Sequence, residues 1–372
     1  MIKYLKVICL VLISGGSTAQ ISTLPIERLP VKNILPGISY IPTRSFTALS
    51  YTGSDSLAFY IPKTASTRGF YISKYEVSNK EYREFALWVR DAAAHNLLQH
   101  FIKDSKEIDW SQTINWNNPL LESMMVESEN RISIKKEINA GMISYSSPRT
   151  GKMISIYPDT LVWLTDFSYS YNEPLVKRYF ANKNYDNYPV VGINLAQAMA
   201  FCEWKEAQVN RSLKQAGSEY RVELRLPTNN EWEAAATDNE PGNKVYPSSK
   251  KYRSNFGIIK DKNGVVVKKY DDDGYFYTGP VKDYSPDANG LYNMKGNVAE
   301  WTSDEASTIM VNTNNKKIPD SLMDEIKRSF IVKGGGWDSD PFYLQTGACR
   351  FFPANASHAF IGFRYVVYIT KQ

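Results

Sequence analysis

Side chains able to do chemistry are sparse in this chain, and their spacing limits what each can do. Three cysteines are present, of which Cys9 lies in an N-terminal apolar run, leaving Cys202 and Cys349 for the folded part. Two thiols are too few for a disulfide framework. A single bond between them and two separately buried thiols are both compatible with the sequence. Cys202 sits in the apolar stretch Ala198 to Trp204 and reads as a small core residue, whereas Cys349 has only His358 as a nearby imidazole to activate it. His95, His100 and His358 are the only histidines. His95 and His100 are five residues apart, so on one helix they point away from each other and do not converge on a metal. Gly334-Gly335-Gly336 lacks the lysine that a phosphate-cradling loop needs, and fits close backbone packing instead. Arg350 and Arg364 have the geometry to hold carboxylates, most naturally through hydrogen bonds near the core. No Ser-His-Asp order or paired-carboxylate motif stands out. The remaining candidates are oxygen-rich: Asn293-Met294-Lys295-Gly296-Asn297-Val298-Ala299-Glu300, and Asp271-Asp272-Asp273 beside Gly274. Such groups suit a hard cation, and equally suit a turn or a solvated acidic loop.

These residues need positioning elements, and the sequence marks several. Gly37 to Pro42 and Gly69 to Val77 read as strands. Ser78, with Glu81 three residues on, is a capping-box arrangement for a helix starting at about residue 79 with Tyr82, Phe85, Ala86 and Val89 on its apolar face. Tyr188 to Ile193 reads as a buried strand, followed by a helix from about Leu195 to Val209. Thr228 and Glu231 cap another helix through Ala236. A hairpin is expected around Asn263-Gly264. Residues 90–185 lose all sustained period, scatter Trp110, Trp116 and Trp163 among polar stretches, and read as one large insertion.

Composition sets the frame. With 372 residues, 43% hydrophobic and 13% aromatic, the chain can bury a large core. Twenty-five Tyr, eight Trp, 21 Gly and 18 Pro predict a loop-rich fold with few long amphipathic helices. A net charge of +5 with no basic stripe argues against a nucleic-acid partner. Residues 1–19 read as a secretory signal peptide: Lys3 and Lys6, an apolar run from Val7 to Ile13 too short to span a bilayer, and small residues Ser17 and Ala19 before Gln20. Residues 20–36 form an extended N-terminal arm. No cysteine follows the small-residue stretch, so lipidation is not expected and any membrane contact is indirect.

The segments Ile41-Pro42, Phe70 to Phe85, Pro189 to Trp204, Leu226 to Ala236, Leu291 to Thr302, Lys333 to Trp337, Ala348-Cys349-Arg350 and Gly362-Phe363-Arg364, in this order, resemble the formylglycine-generating (sulfatase-modifying factor) family. The resemblance implies an α+β fold related to C-type lectins, with limited regular secondary structure, as a single domain over residues 37–372. That family oxidises a substrate cysteine with copper held by two thiolates. Aligned through Arg350 and Gly362-Phe363-Arg364, the thiolate positions fall near Phe342 and Gly347, neither of which can ligate copper. No copper and no cysteine oxidation are therefore expected. The resemblance also implies structural Ca2+ in two loops. One uses Asn293 and Glu300 side chains with the carbonyls of Gly296 and Val298; the other uses Asn255, Asp273 and the carbonyls of Phe256 and Tyr275. The insertion, including Asp109-Trp110 and Ile114 to Pro119, is similar to GldK/PorK-type proteins of Bacteroidota. This implies a structural subunit of a type IX secretion or gliding motility complex in the periplasm, at the inner face of the outer membrane. It would form a homo-oligomeric ring with a GldN/PorN-type partner. The alternative is an enzyme or a peptide- or glycan-binding module with an altered active site.

Overall fold

The computed structural model describes residues 35–52, 59–126, 138–167, 172–237, 254–260, 262–308, 324 and 327–371. The expected signal peptide and most of the arm lie outside these residues. Among them, no helix is long and apolar enough to cross a membrane.

In chain order the strands are β1 (Ile38–Ile41), β2 (Arg44–Thr52), β3 (Phe59–Thr67), β4 (Phe70–Ser73), β5 (Ser144–Ser146), β6 (Met153–Ser155), β7 (Tyr220–Arg225), β8 (Ile259–Lys260), β9 (Val266–Lys268), β10 (Ala299–Glu305), β11 (Ser329–Lys333), β12 (Cys349–Pro353), β13 (Ile361–Gly362) and β14 (Val366–Lys371). The helices are α1 (Asn79–Leu97), α2 (Val162–Thr165), α3 (Glu173–Arg178), α4 (Leu195–Gln215) and α5 (Asn229–Ala236). One four-stranded sheet runs β1-β4-β14-β7 and a second runs β12-β11-β10-β13; β2-β3, β5-β6 and β8-β9 are two-stranded ladders. Only the β10–β13 contact is parallel among these pairings.

The first sheet is buried on both faces, and side-chain alternation explains how. Tyr71 and Val367 face the main core with Val222 and Leu224, while Phe70, Ile72 and Val366 face a smaller core built on Trp232, Leu291 and Met294. α1 and α4 cover the first face. Their contact is aromatic: Tyr82 stacks on Phe201 with ring centroids 5.7 Å apart, and its hydroxyl donates to the Ile156 carbonyl at 2.8 Å. α5 belongs to the smaller core.

The expected caps are in place. Ser78 Oγ accepts the Glu81 N–H, although Glu81 directs its carboxylate to Lys205 and not back to the cap. Thr228 and Glu231 make the full reciprocal box. α4 runs six residues beyond the expected Val209, and its 21 residues and the 19 of α1 make the two long helices among the described residues, in keeping with the expected few. The 263–264 turn closes the β8–β9 hairpin, with Gly264 at φ +80°.

The histidine geometry also needs correction. α1 ends at Leu97, Gln99 takes φ +54°, and the chain folds back so that His100 Nδ1 lies 3.0 Å from His95 Nδ1. One ring therefore donates and the other accepts. His95 also meets Trp110 edge-on at 5.2 Å, and Trp110 stacks on Trp88. Burial and the neighbouring His100 hold the His95 pKa below its usual value, against the opposing pull of Asp91 and Asp109. The unfolded imidazole, near pH 6.5, then binds more protons than the folded one, so this corner loses stability as pH falls from about 6.5 through the lower folded value. Trp110 fluorescence should change over that range, and His95→Asn should remove the change.

The insertion folds against the rest of the molecule rather than standing apart. Trp163 on α2 is buried and stacks on Trp337 with centroids 6.4 Å apart and planes 12° apart. Asp166 accepts the Ala359 N–H at 2.6 Å and lies 2.9 Å from His358 Nδ1.

Candidate functional site

Strand β11 ends by delivering Gly334 to Trp337 into a loop that no larger residue could follow. Gly334 and Gly335 have φ +90° and +67°, and a Cβ on Gly336 would lie 2.9 Å from the Phe360 carbonyl. Three segments are laced together here by backbone hydrogen bonds: Gly296 N–H to Gly334 O at 2.8 Å, Trp337 N–H to Asn297 O at 2.8 Å, and Asn297 N–H to Asn255 O at 2.7 Å. Both oxygen-rich loops and the triple-glycine loop thus form one unit.

At its outer edge, β12 brings Arg350 to Asp338 Oδ2 at 3.1 Å and to Ser339 Oγ at 3.1 Å. Burial raises the Asp338 pKa, and Arg350 opposes the rise. The Arg350 guanidinium also lies 5.6, 5.0 and 4.5 Å from the ring centroids of Tyr343, Phe352 and Phe360. It is half-buried and not the core hydrogen-bonder expected. Arg364 is that residue, fully buried against Glu300.

The expected thiolate positions carry no thiol. Phe342 is half-buried in a 3-10 turn at Pro341–Leu344, and Gly347 is buried just before β12. Cys349 and Cys202 are both buried and neither is in a disulfide, which decides the open question of a bond between them. Burial pushes the Cys349 thiol up to about 12, outweighing the nearby Lys333 ammonium, and burial likewise raises the Cys202 thiol far above its usual value. Neither is a ready nucleophile, because the thiolate is the reactive form. Native protein at pH 8 should leave both unmodified by an aromatic disulfide reagent, and denatured protein should react at both.

The first oxygen-rich loop turns through Asn293 and Asn297 at φ +54° and +65°. Glu300 is fully buried; its Oε2 accepts from Arg364 Nε at 2.6 Å and from Trp232 Nε1 at 2.7 Å, and its Oε1 accepts from Arg364 at 2.7 Å. Asn293 and Asn297 each donate an amide N–H to Glu76 at 2.9 Å. Burial pushes the Glu76 carboxyl up to about 8; Arg364 opposes the rise and Glu300 adds to it. Two carboxyl groups thus share the field of one guanidinium. Arg364 already occupies both Glu300 oxygens, so in this arrangement Glu300 has no oxygen left over for a cation. Glu76 belongs to this buried cluster, and its place beside Val77 in an expected strand gave no sign of it.

The second loop is arranged differently from expectation. Asp273 and the Phe256 carbonyl, two of its four expected calcium ligands, both bind the Lys268 ammonium, at 2.8 Å each. Asn255 donates to the Tyr277 carbonyl at 2.5 Å. The residues present do not fit Ca2+ here, since a fixed positive charge already stands among the oxygens.

Comparison with known proteins matches this chain to the sulfatase-modifying factor enzyme 1-like domain over residues 49–369. The mouse formylglycine-generating enzyme is 31% identical over 189 residues, 48% of this chain and 44% of that one. The Thermomonospora curvata formylglycine-generating enzyme is 33% identical over 124 residues, 32% of this chain and 34% of that one. The Bos taurus inactive C-alpha-formylglycine-generating enzyme 2 is 32% identical over 122 residues, 32% of this chain and 33% of that one. The matches thus span less than half the length of these relatives. Among solved structures, PvdO from Pseudomonas aeruginosa aligns with 90% of this chain and 95% of its own at 16% identity and a TM-score of 0.45. The family includes both active enzymes and inactive homologues. The chain belongs to the sulfatase-modifying factor family, of formylglycine-generating enzymes and their homologues, and has that family's mixed α and β fold.

Proposed function

We propose that this chain is a non-catalytic structural subunit of a type IX secretion or gliding motility complex. It would be exported to the periplasm and assemble as a homo-oligomeric ring with a GldN/PorN-type partner, at the inner face of the outer membrane and without a lipid anchor of its own. The single observation behind this reading is that a family scaffold is retained around positions, Phe342 and Gly347, that cannot hold copper, while the remaining thiols are buried. The insertion adds surface for partners: Ile102, Trp110, Leu120, Met153 and Leu161 are exposed on it. In this reading a structural Ca2+ sits in the first loop, held by Asn293, Glu300 and the carbonyls of Gly296 and Val298, and Glu300 turns from Arg364 to the ion when it binds. Chelation should then lower the melting temperature, because an ion bound only by the native state stabilises it. The test of the assembly is gentle detergent purification of the tagged protein from its own envelope, with mass spectrometry of the bound proteins. Stoichiometric secretion or gliding components are expected; a lone monomer overturns the reading.

One observation favours a second reading, an altered peptide- or glycan-binding module. The half-buried Arg350 guanidinium, ringed by Tyr343, Phe352 and Phe360, is a polar group framed by aromatic surface. Retention of peptides or glycans on the immobilised protein, lost in Arg350→Ala, would support it.

A further inference from the structure

The second oxygen-rich loop holds a cation that the chain supplies itself. Lys268 lies on β9 of the hairpin, and its side chain turns inward and is fully buried. Its Nζ donates to the carbonyls of Phe256 at 2.8 Å, Lys269 at 3.0 Å and Gly257 at 3.2 Å, and pairs with Asp273 Oδ2 at 2.8 Å. The ammonium also lies 4.4 Å from the centroid of the Phe256 ring. Three carbonyls and one carboxylate around a buried charge form the kind of shell that a hard metal ion takes. The separations are those of N–H···O hydrogen bonds, longer than the roughly 2.3–2.6 Å of calcium–oxygen contacts. The same Asp273 Oδ2 also accepts the Phe256 N–H at 3.1 Å, and Oδ1 accepts the Tyr275 N–H at 3.5 Å. The loop is therefore closed around the ammonium, and a divalent ion entering it would have to displace a charge of the same sign.

We infer that Lys268 is a built-in substitute for a metal ion, making the loop formed by Phe256, Gly257, Lys269 and Asp273 independent of calcium. The inference stands on this loop alone and does not depend on the assembly reading or on Ca2+ in the first loop. The hairpin is what makes it possible, because β9 carries Lys268 back over Phe256 from a position 12 residues along the chain.

Two measurements test it. Calcium stoichiometry is determined by isothermal titration at about 1–5 mM free Ca2+ for the full chain and for Lys268→Ala. The variant is expected to bind one more Ca2+ per chain than the unaltered protein, whatever the first loop binds; equal stoichiometry in a folded variant overturns the inference. Should the variant fail to fold, the unaltered protein decides by amine acylation and peptide mass spectrometry, with and without Ca2+. Lys268 is expected to stay unlabelled in both conditions while the exposed Lys260 and Lys262 react. Labelling of Lys268 at the rate of those neighbours, or its appearance when Ca2+ is added, overturns the inference.

Discussion

Arg364→Ala is expected to remove about 3–5 kcal/mol of stability, the usual result of stripping one partner from a buried ion pair. The guanidinium is fully buried and bonds both oxygens of Glu300, and it also donates to the carbonyls of Ser73 at 3.1 Å and Tyr292 at 2.8 Å. One side chain thus ties β4, the first oxygen-rich loop and the start of β10 together. Removing it leaves the Glu300 charge with the Trp232 indole, and leaves two carbonyls without a donor. Arg364→Lys should recover only part of the loss, since an ammonium cannot reproduce the planar fork. Urea denaturation with the slope held constant reads the effect directly. A loss below about 1 kcal/mol would show that solvent reaches the pair, the regime of surface ion pairs.

Gly296→Ala is the second large effect. Gly296 sits at φ +92°, where an L-residue costs about 1–2 kcal/mol, and its added Cβ would lie 2.2 Å from the Asn255 carbonyl oxygen. Asn255 cannot retreat freely, because that carbonyl accepts the Asn297 N–H and its amide donates to Tyr277. The combined loss should exceed about 2 kcal/mol. It should also loosen both oxygen-rich loops at once, seen as faster amide hydrogen exchange at Asn255 and Asn297. Loss of stability with both amides still protected would contradict the picture of one laced unit.

Much of this was legible in the sequence wherever the signal is local. Ser78 and Thr228 announce helix starts because a cap and its partner lie three residues apart, and both caps form. The triple glycine announces close approach, and the Trp232, Trp301 and Trp337 rings are fully buried. What was not legible depends on partners far along the chain. The His95–His100 contact needed a helix end and a left-handed Gln99, neither of which five-residue spacing reveals. Glu76 joins Asn293 across 217 residues. Lys268 is one of several lysines on the hairpin, yet it is buried while Lys260 and Lys262 are exposed. Periodicity states which face a residue is on, but the extra residue on β9, where the β8–β9 register shifts, decides which lysine turns inward. The insertion gave no period because its described residues form short helices, turns and a three-residue ladder, held by Trp163 and Asp166 against the C-terminal loop.

The proposal that the family scaffold is kept without thiolate chemistry is tested most directly by a turnover assay. The purified chain is loaded with Cu(I) and incubated with oxygen and a peptide carrying a substrate cysteine of the kind the family oxidises, and the peptide is read by mass spectrometry. No conversion of cysteine to formylglycine above a protein-free control is predicted. Conversion that rises with the amount of protein would contradict it and would show that the chain oxidises cysteine without thiols at Phe342 and Gly347.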